Sequence, residues 1–322
     1  MSEFRYVFGP VPSRRLGFSL GINNIPYKVC SYSCVYCQLG RTFKYSIERS
    51  PYGDPQRIVD EVSKVLSRNV RVDFITFVPD GEPTLDSNLG LIADALKSRF
   101  DIPIAILSNS SLIWREDVVE DLMLFDLVSF KVDSVIKSTW RRINRPHGAL
   151  DIDSILRGIK SFSRIFRGRI ISETMLVHEI NTSRHELMKI AGFLSDIKPS
   201  MAYISIPIRP PAESWVKKPC EDELVAAYAI FSGLLGEKRV ELLNLPEPCE
   251  FQVHDDPIEF ILSTTRVHPL KIDYAMDILV GHGLDAEAII DRLIAEGKIR
   301  IVNYEGEKFV ITKIMRQTEQ SP

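Results

Sequence analysis

Cys30-Ser31-Tyr32-Ser33-Cys34-Val35-Tyr36-Cys37 places three thiols within eight residues, between an apolar run at 18–25 and a turn at Gly40-Arg41-Thr42. Thiolates this close converge on one metal centre. A tetrahedral zinc site takes a fourth protein ligand, and the next cysteine, Cys220, is far along the chain. A cubane iron–sulfur cluster needs only three protein sulfurs if one iron stays open, and an open iron can bind a substrate group as well as pass an electron. A zinc knuckle completed by a histidine and an unliganded redox trio are the competing readings.

Length and composition frame that loop. The 322 residues, 45% hydrophobic and 26% charged, suit one large globular domain and a small one. The N-terminus, Met1-Ser2-Glu3-Phe4-Arg5, is charged, and no apolar run approaches the roughly 20 residues of a membrane span. A cytoplasmic protein without a membrane partner is expected. Five cysteines, three of them clustered, are not a disulfide framework, and Cys220 and Cys249, each after a proline, read as ordinary buried thiols. A net charge of −3 excludes nucleic-acid binding by bulk charge, so any basic surface is local.

Outward from the cysteines the hydrophobic period alternates. Strands are predicted at 18–22, 72–78, 102–107, 126–132, 169–177 and 201–207, and helices at 55–69, 89–100, 115–124, 151–162 and 184–196. The stretch 6–17, rich in Gly and Pro, reads as an extension. Alternating strands and helices form a parallel sheet with right-handed crossovers, and reactive groups collect at the C-terminal ends of its strands. The cysteine loop follows the first strand and obeys that rule.

The other strand ends offer further groups. Pro79-Asp80-Gly81-Glu82-Pro83-Thr84 supplies a glycine that lets backbone approach a ligand, and an acceptor in Glu82. Ser108-Asn109-Ser110-Ser111 can bond a ribose or cap a helix. Asp133 and Glu173 lie in apolar frames, where an acid needs a ligand or an ion-pair partner. Lys137 to His147 carries Arg141, Arg142 and Arg145 with Trp140 and no acid, so this loop is expected to clamp phosphate or carboxylate. Arg14 and Arg15, ahead of the cysteines, are candidates for the same task or residues of a solvated turn.

C-x3-C-x2-C with Tyr36 before the last cysteine resembles the radical S-adenosylmethionine (radical SAM) superfamily. The resemblance implies an α/β fold, the (β/α)6 partial TIM barrel of that superfamily. It implies that Cys30, Cys34 and Cys37 hold a [4Fe-4S] cluster whose open iron chelates S-adenosyl-L-methionine, cleaved to a 5'-deoxyadenosyl radical with an electron from flavodoxin or ferredoxin. It also implies that Gly81, Glu82 and Pro83, in a partial match to a Gly-Gly-Glu motif whose first glycine is here Asp80, hold the methionine amino group, with Tyr36, Asn109, Asp133 and Glu173 nearby. Val11-Pro12-Ser13-Arg14-Arg15-Leu16-Gly17, Gly81-Glu82-Pro83-Thr84 and Asn144-Arg145-Pro146-His147 are similar to a branch related to wyosine tRNA-modifying enzymes. The archaeal wyosine enzymes carry further N-terminal cysteines, and none precedes Cys30 here.

The predicted divisions are a barrel with its extension at 1–215, a helix (221–235) and connector at 216–250, and a winged-helix-like domain at 251–322. That last domain is built from helices at 257–264, 272–279 and 285–296 and a hairpin turning at Gly306. Its third helix shows Asp285, Glu287, Asp291 and Glu296 against Arg292 alone, which suits protein docking better than phosphate; nucleic-acid contact would fall to Lys298, Arg300 and Lys308. Three functions follow as alternatives. One is an enzyme modifying RNA or a small molecule, another an activating enzyme that makes a radical on a protein, and the third a cluster sensor with a DNA-binding wing.

Overall fold

Strands separated by amphipathic helices have to return to the same edge, which makes neighbours parallel. The computed structural model, which describes residues 5–243, 253 and 256–312, follows that logic. Its main sheet runs β1 (Val7–Ser13), β2 (Gly17–Ile22), β3 (Phe74–Phe77), β4 (Ile104–Ser108), β5 (Leu127–Lys131), β6 (Arg169–Met175), β7 (Met201–Ser205) and β8 (Val240–Leu243), in sequential order. From β2 to β8 every pairing is parallel; β1 alone is antiparallel, folded back on β2. The sheet curls into an open partial barrel.

The crossover helices are α1 (Pro55–Leu66), α2 (Leu89–Arg99), α3 (Glu116–Leu122), α4 (Lys137–Asn144), α5 (Ile152–Ile165), α6 (Arg184–Ile197) and α7 (Glu221–Leu235). Each buries one stripe on the sheet. Ile58 and Val62 of α1 and Ile92 and Leu96 of α2 are fully buried, in one core with Ile75 and Phe77 of β3. Asp54 and Asp151 begin α1 and α5 by accepting the backbone N–H three residues on.

Three segments depart from expectation. Most of the stretch 6–17 is strand β1 and not an extension, and β8 adds a parallel strand after α7 that four residues of weak pattern did not announce. The basic segment 137–144 is a helix, held by Trp140 and Ile143 packing inward.

Residues 257–312 form α8 (Pro257–Val267), β9 (Leu270–Lys271), α9 (Ile272–Gly281), α10 (Ala286–Ala295), β10 (Ile299–Tyr304) and β11 (Glu307–Thr312), the arrangement of a winged helix. The sheet order is β9-β11-β10, antiparallel throughout. Glu305 and Gly306 both have positive φ between the paired Tyr304 and Glu307, as a two-residue hairpin turn of type I′ requires. Ile261, Leu279, Leu293 and Val310 centre its core, against which Val11 of β1 also packs. The connector expected at 245–249, Cys249 within it, and the boundary at 250 and 251 lie outside the described residues. Among the described residues no helix is long and apolar enough to cross a membrane.

Candidate active site

The cysteine loop is fixed from three sides. At the end of β2, Asn23 exchanges hydrogen bonds with Asp80, donating to its Oδ2 (2.9 Å) and accepting from its N–H (3.0 Å). The Lys28 N–H reaches Asp80 O and the Glu82 N–H reaches Val29 O, so the loops after β2 and β3 are stitched together. Val29–Cys30 pairs with Lys44–Tyr45 as a short ribbon. The N–H groups of Ser33 and Val35 bond the carbonyls of Asn144 and Ile143 at the end of α4, and the His147 N–H bonds Ser31 O at 2.8 Å.

Each cysteine sulfur receives a side-chain N–H donor. Asn109 Nδ2 donates to Cys30 Sγ at 3.5 Å, Asn144 Nδ2 to Cys34 Sγ at 3.4 Å and Lys28 Nζ to Cys37 Sγ at 3.2 Å. Three donors aimed at three sulfurs suit metal-bound thiolates, whose charge such bonds stabilise. Among the described residues, the ligand atoms of one His/Cys/Asp/Glu trio lie within 4.8 Å of one another, and that trio is His178, Cys220 and Glu223. The three donors fit a cluster in which each sulfur takes a different iron. Burial pushes the Cys30 thiol up to about 12 and the Cys34 thiol up to about 11, so without metal both keep their protons at neutral pH.

Glu82 is buried and held from both oxygens: Oε1 accepts from the Thr84 N–H and hydroxyl and from Ser108 Oγ (2.7 Å), and Oε2 from the Asn109 N–H (2.7 Å). Burial raises its pKa, and these bonds act against the rise. Pro83 opens a short 3-10 turn behind it. Gly81 is needed for a close approach, although the neighbour is the protein itself: a Cβ there would collide with the carbonyl oxygen of Val29, next to Cys30. Gly81→Ala should push the cysteine loop off its seat and cut reconstituted iron per chain at least severalfold, measured by iron and sulfide analysis against Gly148→Ala, whose Cβ would meet open space.

Tyr36, Asp133 and Glu173 meet inside the barrel. The Tyr36 hydroxyl donates to Asp133 Oδ2, which also accepts from Asn144 Nδ2 (2.7 Å), and Asp133 Oδ1 accepts from the Met175 N–H (2.8 Å). Glu173 forms ion pairs with Arg15 and Lys131, and the Lys131 ammonium stands 5.2 Å above the Tyr36 ring. An ion-pair network is thus what makes an acid tolerable in β6. Arg14 and Arg15 sit in the turn that begins β2, at the far end of that strand from the cysteine loop; Arg15 enters the barrel to reach Glu173.

Arg141 and Arg142 are exposed on α4. Arg145, just past its end, pairs with Glu213, which Arg41 also grips through both oxygens, so the acid missing from 134–150 is supplied from across the mouth. The bonds from Arg41 and Arg145 hold the Glu213 carboxyl down at about 2. A depressed carboxylate stabilises the fold above its unfolded pKa near 4.5 and loses that contribution as pH falls towards 2. Glu213→Gln should therefore destabilise at pH 7 and matter little at pH 2.5, checked by urea unfolding at both. A cavity of about 470 Å³, lined by Tyr45, Arg141, Arg145, Pro146, His147, Gly148 and Leu150, lies beside the cysteine loop.

Sequence reading passed over Lys28 and left Asn144 without a role. The first carries a faint signal, a lysine two residues before Cys30 in an otherwise apolar approach; the second has none beyond the Asn-Arg-Pro-His run. Cys220, expected to be buried, is exposed because it caps the free start of α7.

A parallel partial barrel with three donor-supplied cysteines at its mouth defines a radical SAM enzyme: the chain belongs to the radical SAM superfamily, whose family model matches residues 24–191. Its cofactors are a [4Fe-4S] cluster and S-adenosylmethionine. The chain is 45% identical, over 95% of its length and 96% of the relative's, to the UPF0026 protein of Methanocaldococcus jannaschii. It is 35% identical to the UPF0026 protein of Helicobacter pylori strain J99, over 71% of this chain and 74% of that one. In fold it is similar to a radical SAM methyltransferase from Sphaerobacter thermophilus (TM-score 0.55, 11% identity, 70% of this chain and 67% of that chain). SuiB of Streptococcus suis bound to S-adenosylmethionine is likewise similar (TM-score 0.52, 14% identity, 72% and 52%).

Proposed function

We propose that this enzyme abstracts a hydrogen atom from an RNA. The observation that carries the reading is the cavity beside the cysteine loop, where Arg141 and Arg145 stand with Tyr45, which is 43% exposed and flanked by Phe43 at 78%. Exposed rings next to guanidinium groups suit unstacked bases and their phosphates.

When bound, the cluster supplies the electron that cleaves S-adenosylmethionine to a 5'-deoxyadenosyl radical. Cys30, Cys34 and Cys37 would hold it, and the turn of Gly81, Glu82 and Pro83, with Asn109 and Asp133, would hold the nucleoside and amino acid parts. Glu82, whose oxygens are taken up by four donor groups, would keep that turn in one shape. Tyr36 and Asn144 hold the Asp133 carboxylate in place. Arg15, Lys131 and Glu173 are better suited to shaping the floor of the barrel than to phosphate binding. A flavodoxin or ferredoxin is the electron donor this scheme calls for.

A partner protein is the second reading, favoured by Asp285, Glu287, Asp291 and Glu296, all exposed on or beside α10. One experiment separates the two. Reduced, reconstituted enzyme is given cell extract, with and without nuclease, and 5'-deoxyadenosine is measured anaerobically. Stimulation that nuclease removes, and that weakens in Arg141→Ala, is expected; stimulation that survives nuclease overturns the RNA reading.

A further inference from the structure

We propose that His178, Cys220 and Glu223 form a second metal site, for a single borderline divalent ion with zinc foremost. The trio comes from two segments and stands apart from the cysteine loop. His178 lies in the loop after β6, and Cys220 and Glu223 are the cap and third residue of α7, so that one helix start presents a thiol and a carboxylate together. The sulfur, a carboxylate oxygen and an imidazole nitrogen all lie within 4.8 Å of one another. His178 Nδ1 is 2.7 Å from Glu223 Oε2, where a proton bridges them.

An ion fits in place of that proton. Tetrahedral zinc with sulfur, nitrogen and oxygen ligands has edges of about 3.3 to 3.7 Å, so the imidazole and carboxylate need separate by less than about 1 Å. Thiolate, imidazole and carboxylate together suit zinc and its neighbours and not magnesium or calcium, which take oxygen. The charges balance, two positive against one thiolate and one carboxylate. Cys220 gives its proton to solvent, and the imidazole moves its own from Nδ1 to Nε2. That nitrogen faces Glu179 Oε1 at 3.6 Å, the outer carboxylate that often orients a metal-bound histidine. Cys220 is exposed, which leaves a way in and a fourth position for water.

The site would clip the loop after β6 to α7. Asn181, in that loop, donates to the carbonyls of Asp133 and Met175, both at 2.8 Å, so the ion would steady the strand end that carries Asp133. It does not depend on the RNA reading.

The test uses the full chain with its cluster reconstituted anaerobically, zinc sulfate added, and zinc and iron measured in the same sample after gel filtration. The expected result is about one zinc per chain, at least tenfold weaker binding in Cys220→Ser and in His178→Gln with iron unchanged, and a zinc-dependent rise in Tm confined to the unaltered protein. Serine caps a helix well, so Cys220→Ser leaves α7 intact and isolates the ligand. Cobalt in place of zinc should give a thiolate charge-transfer band that Cys220→Ser removes. Iron-replete protein that retains no zinc, or zinc that persists in both variants, overturns the site and leaves the trio as a hydrogen-bonded helix cap.

Discussion

Cys34→Ala should leave the protein without a four-iron cluster and without detectable cleavage of S-adenosylmethionine. Cys34 is the middle cysteine of the three, and its sulfur is aimed by Asn144 from α4, whose carbonyl also fixes the Ser33 N–H. The other two sulfurs are aimed by groups on different elements, Asn109 and Lys28, so no neighbouring thiol can slide into its place. The expected loss is complete, because two protein ligands cannot retain a cubane that must also open one iron to its substrate. Iron and sulfide content and the low-temperature EPR spectrum of the reduced protein read it directly. Retention of a full four-iron cluster would sink the assignment.

Lys28→Met should lower the cluster's reduction potential by on the order of 100 mV. Lys28 is 3% exposed, and its ammonium lies 3.2 Å from Cys37 Sγ. Burial works against its charge, but the Cys37 and Cys30 sulfurs, in the thiolate form that a cluster would hold, outweigh that cost and raise its pKa, so it stands beside them as a cation. A unit charge 4 Å from another is worth about 4 kcal/mol at an effective dielectric of 20, and spreading the added electron over the cluster reduces the effect. Removing the cation disfavours reduction, hence the negative sign. A redox titration followed by EPR, without substrate, checks it; Lys28→Arg should stay near the unaltered value, and an unshifted Met variant would assign Lys28 a packing role only.

Much of this arrangement is legible in the sequence. The strand-and-helix rhythm follows from apolar period, and the cysteine spacing announces the cluster because few other chemistries want three thiols so close. What stays hidden is pairing across the sheet. Nothing near Glu173 reveals that Arg15, 158 residues away, neutralises it. Nor does the acid-free run at 134–150 reveal that Glu213 closes over Arg145. Gly81 shows the limit well: its need for space was readable, but the carbonyl of Val29 that fills the space was not. Strand β1 was obscured by its Gly and Pro residues, which an edge strand tolerates because one side of it needs no partner.

The winged-helix unit is moored to the cysteine loop and to the loop after β3. Arg266 of α8 donates to Asp80 Oδ2 at 3.2 Å, and Gln38, just after Cys37, donates to the Val267 carbonyl at 3.0 Å. Burial raises the Asp80 carboxyl to about 6, and Arg266 is the main charge that opposes the rise. Acid and arginine are thus a matched pair on two parts of the chain, and evolution should treat them as one character. Relatives that keep an acid at position 80 should keep a cation opposite it, and those that lose the terminal unit should lose the acid too. An alignment of many such chains would show the two positions changing together, or show that the bond has no history.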